Sequence, residues 1–595
     1  MKSIRKFFET PKLFFWSIKH YYKSSPTMFI ISYILTIATS LFYLGYVKFQ
    51  ANLIDSFTHI ELGAGIIIFP LLIFLGYTFV TDAISYIQNS FVDRIGSSKT
   101  EKYFTELFLH HYSCLDIGRI EQSDFQDLKT KVIDRGLWQR RRVPANIALI
   151  IAQIITLFVG IGIISTINPL AALCVVLGTI PMFMVDINYT SANTKLWDEY
   201  TTERRIFWSE RGTVSSKRSI QELIVSNRVS KILTKVFRFI SDNYRREVSL
   251  EKKYFLPNII AIIISTASIG GALLFIVYQA LHGKLTAGQI VFSMGVLYQI
   301  KTSVSTTMSK LASLKEVLPY IQYTKDFFEV KPLVANISKR VLIDEHQAIE
   351  VVFEAVSFTY PGQDKTVVHN ISFTIHPGEK LALVGLNGAG KSTLIKLLLR
   401  MYDPTAGRIL INGIDLKNID LVSWYEYLGV LLQDSSRYEF LSIKETVQLF
   451  AKEKISDHEI LSLLKSIRAE SLVDDSEKGL DTLQSTEYGG KEFSGGQFQK
   501  IALARILARN AKFIILDEPT SSIDALSEEK IFETLHKLPK HITMLFISHR
   551  FTTIRNAEKI IVLNNGTVSE QGTHKELMEN KSLYAEMYTT QVLGK

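Results

Sequence analysis

Eight consecutive residues, Gly385-Leu386-Asn387-Gly388-Ala389-Gly390-Lys391-Ser392, fit the spacing G-x-x-x-x-G-K-[ST]. Glycines there let successive backbone N–H groups turn inward on an anion, at a helix start whose dipole favours negative charge. Lys391 is expected to reach the terminal phosphates of a nucleotide, with Ser392 on a magnesium ion and Thr393 completing the turn. The flanking context suits this chemistry, because the apolar Leu381–Val384 reads as a strand and Thr393–Arg400 as a helix. A second apolar run, Phe513-Ile514-Ile515-Leu516, ends in Asp517-Glu518. One carboxylate there can hold the metal and its neighbour can polarise an attacking water, so Asp517 takes the first role and Glu518 the second. Alone, the two motifs describe a magnesium-dependent nucleoside triphosphatase and nothing narrower.

The stretch between them is narrower. Phe493-Ser494-Gly495-Gly496-Gln497, followed by Gln499, Lys500 and the helical Ile501–Ala508, resembles the signature motif of ATP-binding cassettes, with Phe493 where that family usually has leucine. The family's other elements fall in order around it. Tyr360, in Phe358-Thr359-Tyr360-Pro361, resembles the aromatic that stacks on adenine, and Gln433, after Leu428–Leu432, resembles the glutamine that reaches the metal and attacking water. Ser522-Ile523-Asp524 is similar to the D-loop, and His549, after Leu545–Ser548, to the switch histidine that holds the γ-phosphate. The resemblance implies ATP and Mg²⁺ as cofactors. It also implies that the signature of one cassette closes over the nucleotide of another, so a chain with one intact phosphate loop and one intact signature works as a homodimer.

These groups need elements to hold them, and 595 residues are too many for one domain. Apolar residues, 47% of the chain, concentrate before residue 320. A bilayer core needs about 20 mostly apolar helical residues, and six stretches qualify: Met28–Val47, Leu62–Val80, Ile147–Ile164, Pro169–Val185, Leu256–Val277 and the weaker Ala287–Ile300. Turns at Asp55–Glu61, Ser165–Asn168 and His282–Thr286 join them in pairs and hold only one Lys or Arg, Lys284. The connections Phe91–Val143 and Tyr189–Phe255 are basic, the first including Arg140-Arg141-Arg142. Basic juxtamembrane loops stay in the cytoplasm, which places both termini inside and makes the long connections cytoplasmic extensions of the helices. The formal charge of +9 is therefore a topology signal, and its distribution excludes nucleic acid as a partner. The two cysteines, Cys114 and Cys174, have no metal or disulfide spacing and are expected to be packing residues.

The fold expected is an all-α polytopic membrane domain of six long helices with cytoplasmic extensions, followed by an α/β P-loop ATPase. Boundaries fall at an interfacial segment 1–26, a membrane domain 27–329, a linker 330–348 and a cassette 349–595. In the cassette, short runs such as Ile349–Phe353 and Lys380–Val384 alternate with helical segments, as in a parallel α/β domain. This layout resembles exporter-type ABC half-transporters. Gly283-Lys284-Leu285-Thr286-Ala287-Gly288 is similar to the turn before their last span, and Leu115–Leu128, with Glu121-Gln122-Ser123-Asp124-Phe125, to the first coupling helix of bacterial peptide and lantibiotic exporters. The resemblance implies an ATP-driven exporter in the bacterial cytoplasmic membrane, among membrane lipids, moving a small or peptide substrate. A ribosomally made peptide leads over a lipid or amphiphilic drug; an importer on the same scaffold and an ATP-gated regulator are further alternatives. With no peptidase domain ahead of the first span, a peptide cargo would be matured elsewhere. An ionised Asp is costly inside a bilayer, so Asp82 and Asp186 are expected either at the inner interface or at an acidic entrance, with Phe275, Tyr278, Phe292 and Tyr298 as aromatic surface deeper in.

Overall fold

A computed structural model describes residues 2–58, 63–133, 142–167, 169–334, 341–343, 347–433, 435–520, 523–548 and 550–592. The chain divides into two units: residues 1–114 with 122–331, and residues 115–121 with 332–595.

The first unit is helical. It holds α1 Lys2–Ser24, α2 Pro26–Phe57, α3 Gly65–Tyr86 and α4 Asp93–Ser113. The backbone between α3 and α4 slips into a π-helical turn at Ile87–Val92, where Gln88 Nε2 donates to Thr36 Oγ1 at 2.8 Å. Beyond the second unit's short α5, Ile117–Ile120, come α6 Ser123–Lys131, α7 Arg142–Ser165, α8 Pro169–Glu199, α9 Thr201–Ser215, α10 Lys217–Val225, α11 Val229–Leu281 and α12 Ala287–Glu329. Among the described residues, five helical stretches are long and apolar enough to cross a membrane: Pro26–Phe57, Gly65–Ser113, Val143–Ser165, Pro169–Trp197 and Val229–Leu281. The sixth expected span begins α12, which is continuous over 43 residues but below that apolar level. It starts where the glycine turn predicts. Thr286 caps it reciprocally with Gln289, and Asp55 at the end of α2 accepts from Gly288 N at 2.6 Å and Thr286 Oγ1 at 3.0 Å. A core of Leu44, Ile164, Val175, Ile276, Val296 and Ile300 joins α2, α7, α8, α11 and α12. Arg140 and Arg141 lie outside the described residues. Cys114 and Cys174 are free and exposed on the chain, not packed in a core as expected.

Two sheets build the second unit. Strands β1 Val351–Thr359, β2 Thr366–Ile375, β4 Ala406–Ile411 and β5 Ile414–Asp415 form an antiparallel sheet in the order β2-β1-β4-β5. Strands β3 Lys380–Gly385, β6 Leu428–Leu431, β7 Phe513–Asp517, β8 Thr543–Ile547, β9 Lys559–Asn564 and β10 Thr567–Gly572 form the other, β10-β9-β3-β8-β7-β6. Its pairings β3/β8, β3/β9, β6/β7 and β7/β8 are parallel. The expectation of a parallel domain therefore holds for five strands of this second sheet, to which β10 is added antiparallel to β9. The first pairs β1 with β2 across a short loop, and a link of that length permits only an antiparallel neighbour. Val351, Phe353, Leu381, Leu383 and Leu394 share a core that covers both sheets, while Phe498, Ile514, Leu516 and Phe546 belong to a second core. Three helices matter for the site: α13 Lys391–Leu398, α14 Gly495–Ala508 and α15 Ala525–His536.

Candidate functional site

Every residue of β3 is buried, so the strand is fixed and the loop after it is aimed from a rigid base. Gly385 leaves the strand at φ 155°, and a Cβ on it would stand 2.4 Å from the Leu563 carbonyl oxygen. Gly390 enters α13 in the left-handed region at φ 99°. Both positions demand glycine for geometric reasons, the first by close approach and the second by conformation. The loop between them ends on the N-terminus of α13. There Lys391, 7% exposed, donates from Nζ to the carbonyls of Gly385 at 2.7 Å and Leu386 at 3.1 Å. Burial pushes its ammonium below the usual lysine value, with the charges of Glu518 and Asp517 acting in the opposite direction.

The carboxylates arrive from β7, parallel to β6 and β8. Asp517 is buried, and its Oδ2 accepts from Ser392 Oγ at 3.2 Å. Glu518 follows at φ 51°, a left-handed conformation that a non-glycine residue adopts at a cost of order 1–3 kcal/mol and that concentrates at active sites. Its N–H donates to the Ile547 carbonyl at 3.0 Å, tying the strained turn to the end of β8. Gln433, two residues beyond β6, donates from Nε2 to Glu518 Oε2 at 3.3 Å. Three strand ends thus bring Lys391, Ser392, Asp517, Glu518 and Gln433 to one place. Such a cluster can hold polyphosphate and present a carboxylate to water. Its Ser and Asp oxygens and amide carbonyl are hard donors of the kind a magnesium ion takes.

The base and signature residues sit on other elements. Tyr360 directly follows β1 of the antiparallel sheet, and its hydroxyl shares a hydrogen bond of 3.2 Å with Thr393 Oγ1 on α13. Ser494 caps α14: its Oγ accepts from Gln497 N at 3.3 Å, and Gln497 Oε1 accepts from Ser494 N at 2.8 Å. Phe493 is buried edge-on against Phe498, centroids 6.1 Å apart, so the departure from leucine fills a core position. Asp524 caps α15 through Ser527 N at 2.9 Å, and that hydrogen bond holds its carboxyl below the ordinary value. Ser522 and His549 lie outside the described residues. Sequence reasoning missed the contacts around them: buried Glu528 accepts from Thr520, Thr553 and Arg550, joining the chain after β7 to the chain after β8. Only the neighbouring motifs hinted at it.

The cargo-path residues are not gathered. Asp82 is exposed on α3, which packs on α2, whereas Asp186 is half-buried on α8, which packs on α11 and α12. Phe275, Tyr278 and Tyr298 are exposed on the single chain, and the Phe292 ring lies 5.4 Å from Lys48 Nζ.

Residues 368–521 match the family described as ABC transporter. The chain is similar in fold to a solved structure of a bacterial Atm1-family ABC exporter with ATP bound, at TM-score 0.81 and 25% identity, covering 96% of this chain and 98% of that one. The chain has the architecture of an ABC half-transporter, a helical membrane domain followed by an ABC transporter domain, and is homologous to ABC exporters. This half-transporter is also 28% identical over 543 residues to the subtilin transport ATP-binding protein SpaT of Bacillus subtilis, a match covering 90% of its own length and 87% of the relative's. It is 34% identical over 314 residues to the mitochondrial iron-sulfur clusters transporter ATM1 of Kluyveromyces lactis, covering 52% of its own length and 43% of that protein. The half-transporter is a multi-pass membrane protein whose cassette binds ATP and whose ATPase activity drives transport.

Proposed function

We propose that this half-transporter exports a ribosomally made, cationic peptide as a homodimer with two ATP sites. The observation that carries the ATP-site half of the reading is the hydrogen-bonded convergence of Lys391, Ser392, Asp517, Glu518 and Gln433 at three strand ends. In this reading the backbone from Gly385 to Thr393, with Leu386, Asn387, Gly388, Ala389 and Gly390, wraps the phosphates, and Tyr360 takes the base. Lys391 transfers its hydrogen bonds from the loop carbonyls to phosphate oxygens. Ser392, Asp517 and Gln433 would hold a magnesium ion, which would supply charge neutralisation for the phosphates. Glu518, with Gln433 as its neighbour, orients and deprotonates the attacking water, and His549 steadies the γ-phosphate. Ser494, Gly495, Gly496 and Gln497 of a second copy close the site, flanked by Ser522 and Asp524. The boundaries 1–26, 27–329, 330–348 and 349–595 serve as the working division of the chain, with the cassette supplemented by residues 115–121.

Six spans and cytoplasmic termini are part of the same proposal, supported by the basic long connections. In a cysteine-free background, single cysteines at Thr58 and Thr166 should react with an impermeant maleimide in intact cells, and those at Ser123 and Ser226 should react only after permeabilisation. Labelling of Ser123 from outside would reverse the orientation.

The peptide reading draws on the near full-length resemblance to a subtilin transport protein. It is sharpened by Asp186, a half-buried carboxylate in a membrane-length helix. A cationic peptide would satisfy it, and the aromatic groups Phe275, Tyr278, Phe292 and Tyr298 would take the apolar side of such a cargo. ATPase in nanodiscs should rise with a cationic lantibiotic precursor, and Asp186→Asn should raise the half-maximal peptide concentration about three- to ten-fold at unchanged basal rate. Stimulation by lipids alone, with no response to peptide, would favour a flippase.

A further inference from the structure

We propose that Glu121, a residue far from the cassette in sequence, is a positioning residue of the nucleotide-base platform. It acts through Tyr402 and Lys396 on Tyr360. The inference rests on the reading of Tyr360 as the base-stacking residue. The chain passes into the cassette unit at Leu115 and leaves it after Glu121. This turn is anchored at its start: Asp116 Oδ1 accepts from Arg119 N at 2.8 Å, and its Oδ2 from Leu333 N at 2.6 Å. It also lies directly on Tyr402, since a Cβ on Gly118 would stand 2.8 Å from Tyr402 Cε1 and 2.9 Å from the Met401 carbonyl oxygen.

At the end of the turn, Glu121 accepts from the Tyr402 hydroxyl through Oε2 and from Lys396 Nζ at 2.9 and 3.2 Å. Tyr402 is 7% exposed and meets the Tyr360 ring edge-on, with centroids 5.4 Å apart and planes at 85°. Lys396 Nζ lies 5.8 Å from the Tyr360 centroid and 6.0 Å from that of Tyr402. One carboxylate therefore fixes both neighbours that orient Tyr360 from this side. Burial pushes the Glu121 carboxyl up, but the Tyr402 hydroxyl and the Lys396 ammonium outweigh it and hold it below the usual range, so it is ionised at neutral pH. Without it, the Tyr402 hydroxyl and the Lys396 ammonium both lose the acceptor that fixes them beside the Tyr360 ring.

The test uses the full chain in nanodiscs, with the KM and kcat of ATP hydrolysis and competitive inhibition by tripolyphosphate, which has phosphates and no base. Glu121→Ala should raise KM for ATP about five-fold, the scale of one lost aromatic or cation–π contact, with kcat and the tripolyphosphate inhibition constant within about two-fold of wild type. Glu121→Gln keeps an acceptor for Tyr402 and should recover part of the loss. On a Tyr402→Phe background, Glu121→Ala should add less than about two-fold, because the two share one path. An unchanged KM, or a tripolyphosphate constant that rises in step with it, overturns the inference. Tyr360→Ala separates the layers. If it leaves KM unchanged, the base reading falls and takes this inference with it; if it raises KM while Glu121→Ala and Glu121→Gln are silent, this inference alone falls.

Discussion

Glu518→Gln should abolish steady-state ATP turnover, by about two to four orders of magnitude, while leaving nucleotide binding intact. The reason is a division of labour visible in the geometry. Phosphate contacts would come from Lys391 and the loop N–H groups at the end of β3, whereas Glu518 sits on a separate strand and meets Gln433. Glutamine preserves shape and the hydrogen bond from Gln433 can persist, but the base is gone. Protein incubated with ATP and magnesium should then accumulate an ATP-occluded dimer, retained on gel filtration with nucleotide bound. Lys391→Ala should show the reverse defect, because it removes the buried cation proposed to hold phosphate: binding measured with a fluorescent ATP analogue should weaken before chemistry is reached. A Glu518→Gln protein that hydrolyses at the wild-type rate would remove the carboxylate from the water-activating role.

A larger contrast is expected when two inactive chains are combined. Lys391→Ala disables the phosphate side of a site, and Ser494→Arg places a bulky cation at the N-terminus of α14, on the signature side. Each variant alone should be nearly inactive. In a mixed dimer purified through two different tags, one site collects both lesions and the other receives an intact phosphate loop and an intact signature. That dimer should recover up to about half the wild-type rate if the sites turn over independently. Ser494 is exposed, and its N–H and Oγ pair with Gln497 in its own helix turn; in the proposal its hydroxyl proton is what a partner nucleotide would meet. Ser494→Arg also removes a helix cap, at about 1 kcal/mol, so its thermal unfolding should be measured beside its activity. A mixed dimer as inactive as its parents would count against sites built from two chains.

What could be read from the sequence was local. The phosphate loop, the strand before it and the helix after it lie within Lys380–Leu398; although Gly385 is confined by the distant Leu563 carbonyl, the left-handed Gly390 and the motif itself belong to that one continuous segment. The same is true of Asp517-Glu518 at the end of β7 and of Gln433 after β6. Legibility failed where one segment depends on a distant one. Leu115–Leu128 resembles one coupling helix, but the chain breaks at Gln122, ψ 135°, into α5 and α6, with α5 in the cassette unit and α6 in the membrane unit. The β1/β2 hairpin carries the same kind of apolar run as a parallel strand, and only its pairing tells them apart. The start of α12 is too polar to announce a span by hydropathy, and its first residue is instead set by a cap and by Asp55 on another helix. Glu121 was noticeable as a motif residue, yet its partners lie 275 and 281 residues further on.

That last separation bears on how the protein is made. A chain emerging at ~5–20 residues per second presents Glu121 tens of seconds before Tyr402 exists. During that interval the turn at 115–121 has no partner, and the surface it will cover has not been synthesised. The cassette is therefore not a module that can be completed in sequence order. Its last piece is already in place, attached to membrane helices, when the rest arrives. Closing so long a loop is an entropic burden that falls late in folding. A quality-control protease that acts on unfinished chains would thus meet a cassette whose sheets have formed but whose 115–121 edge is still open.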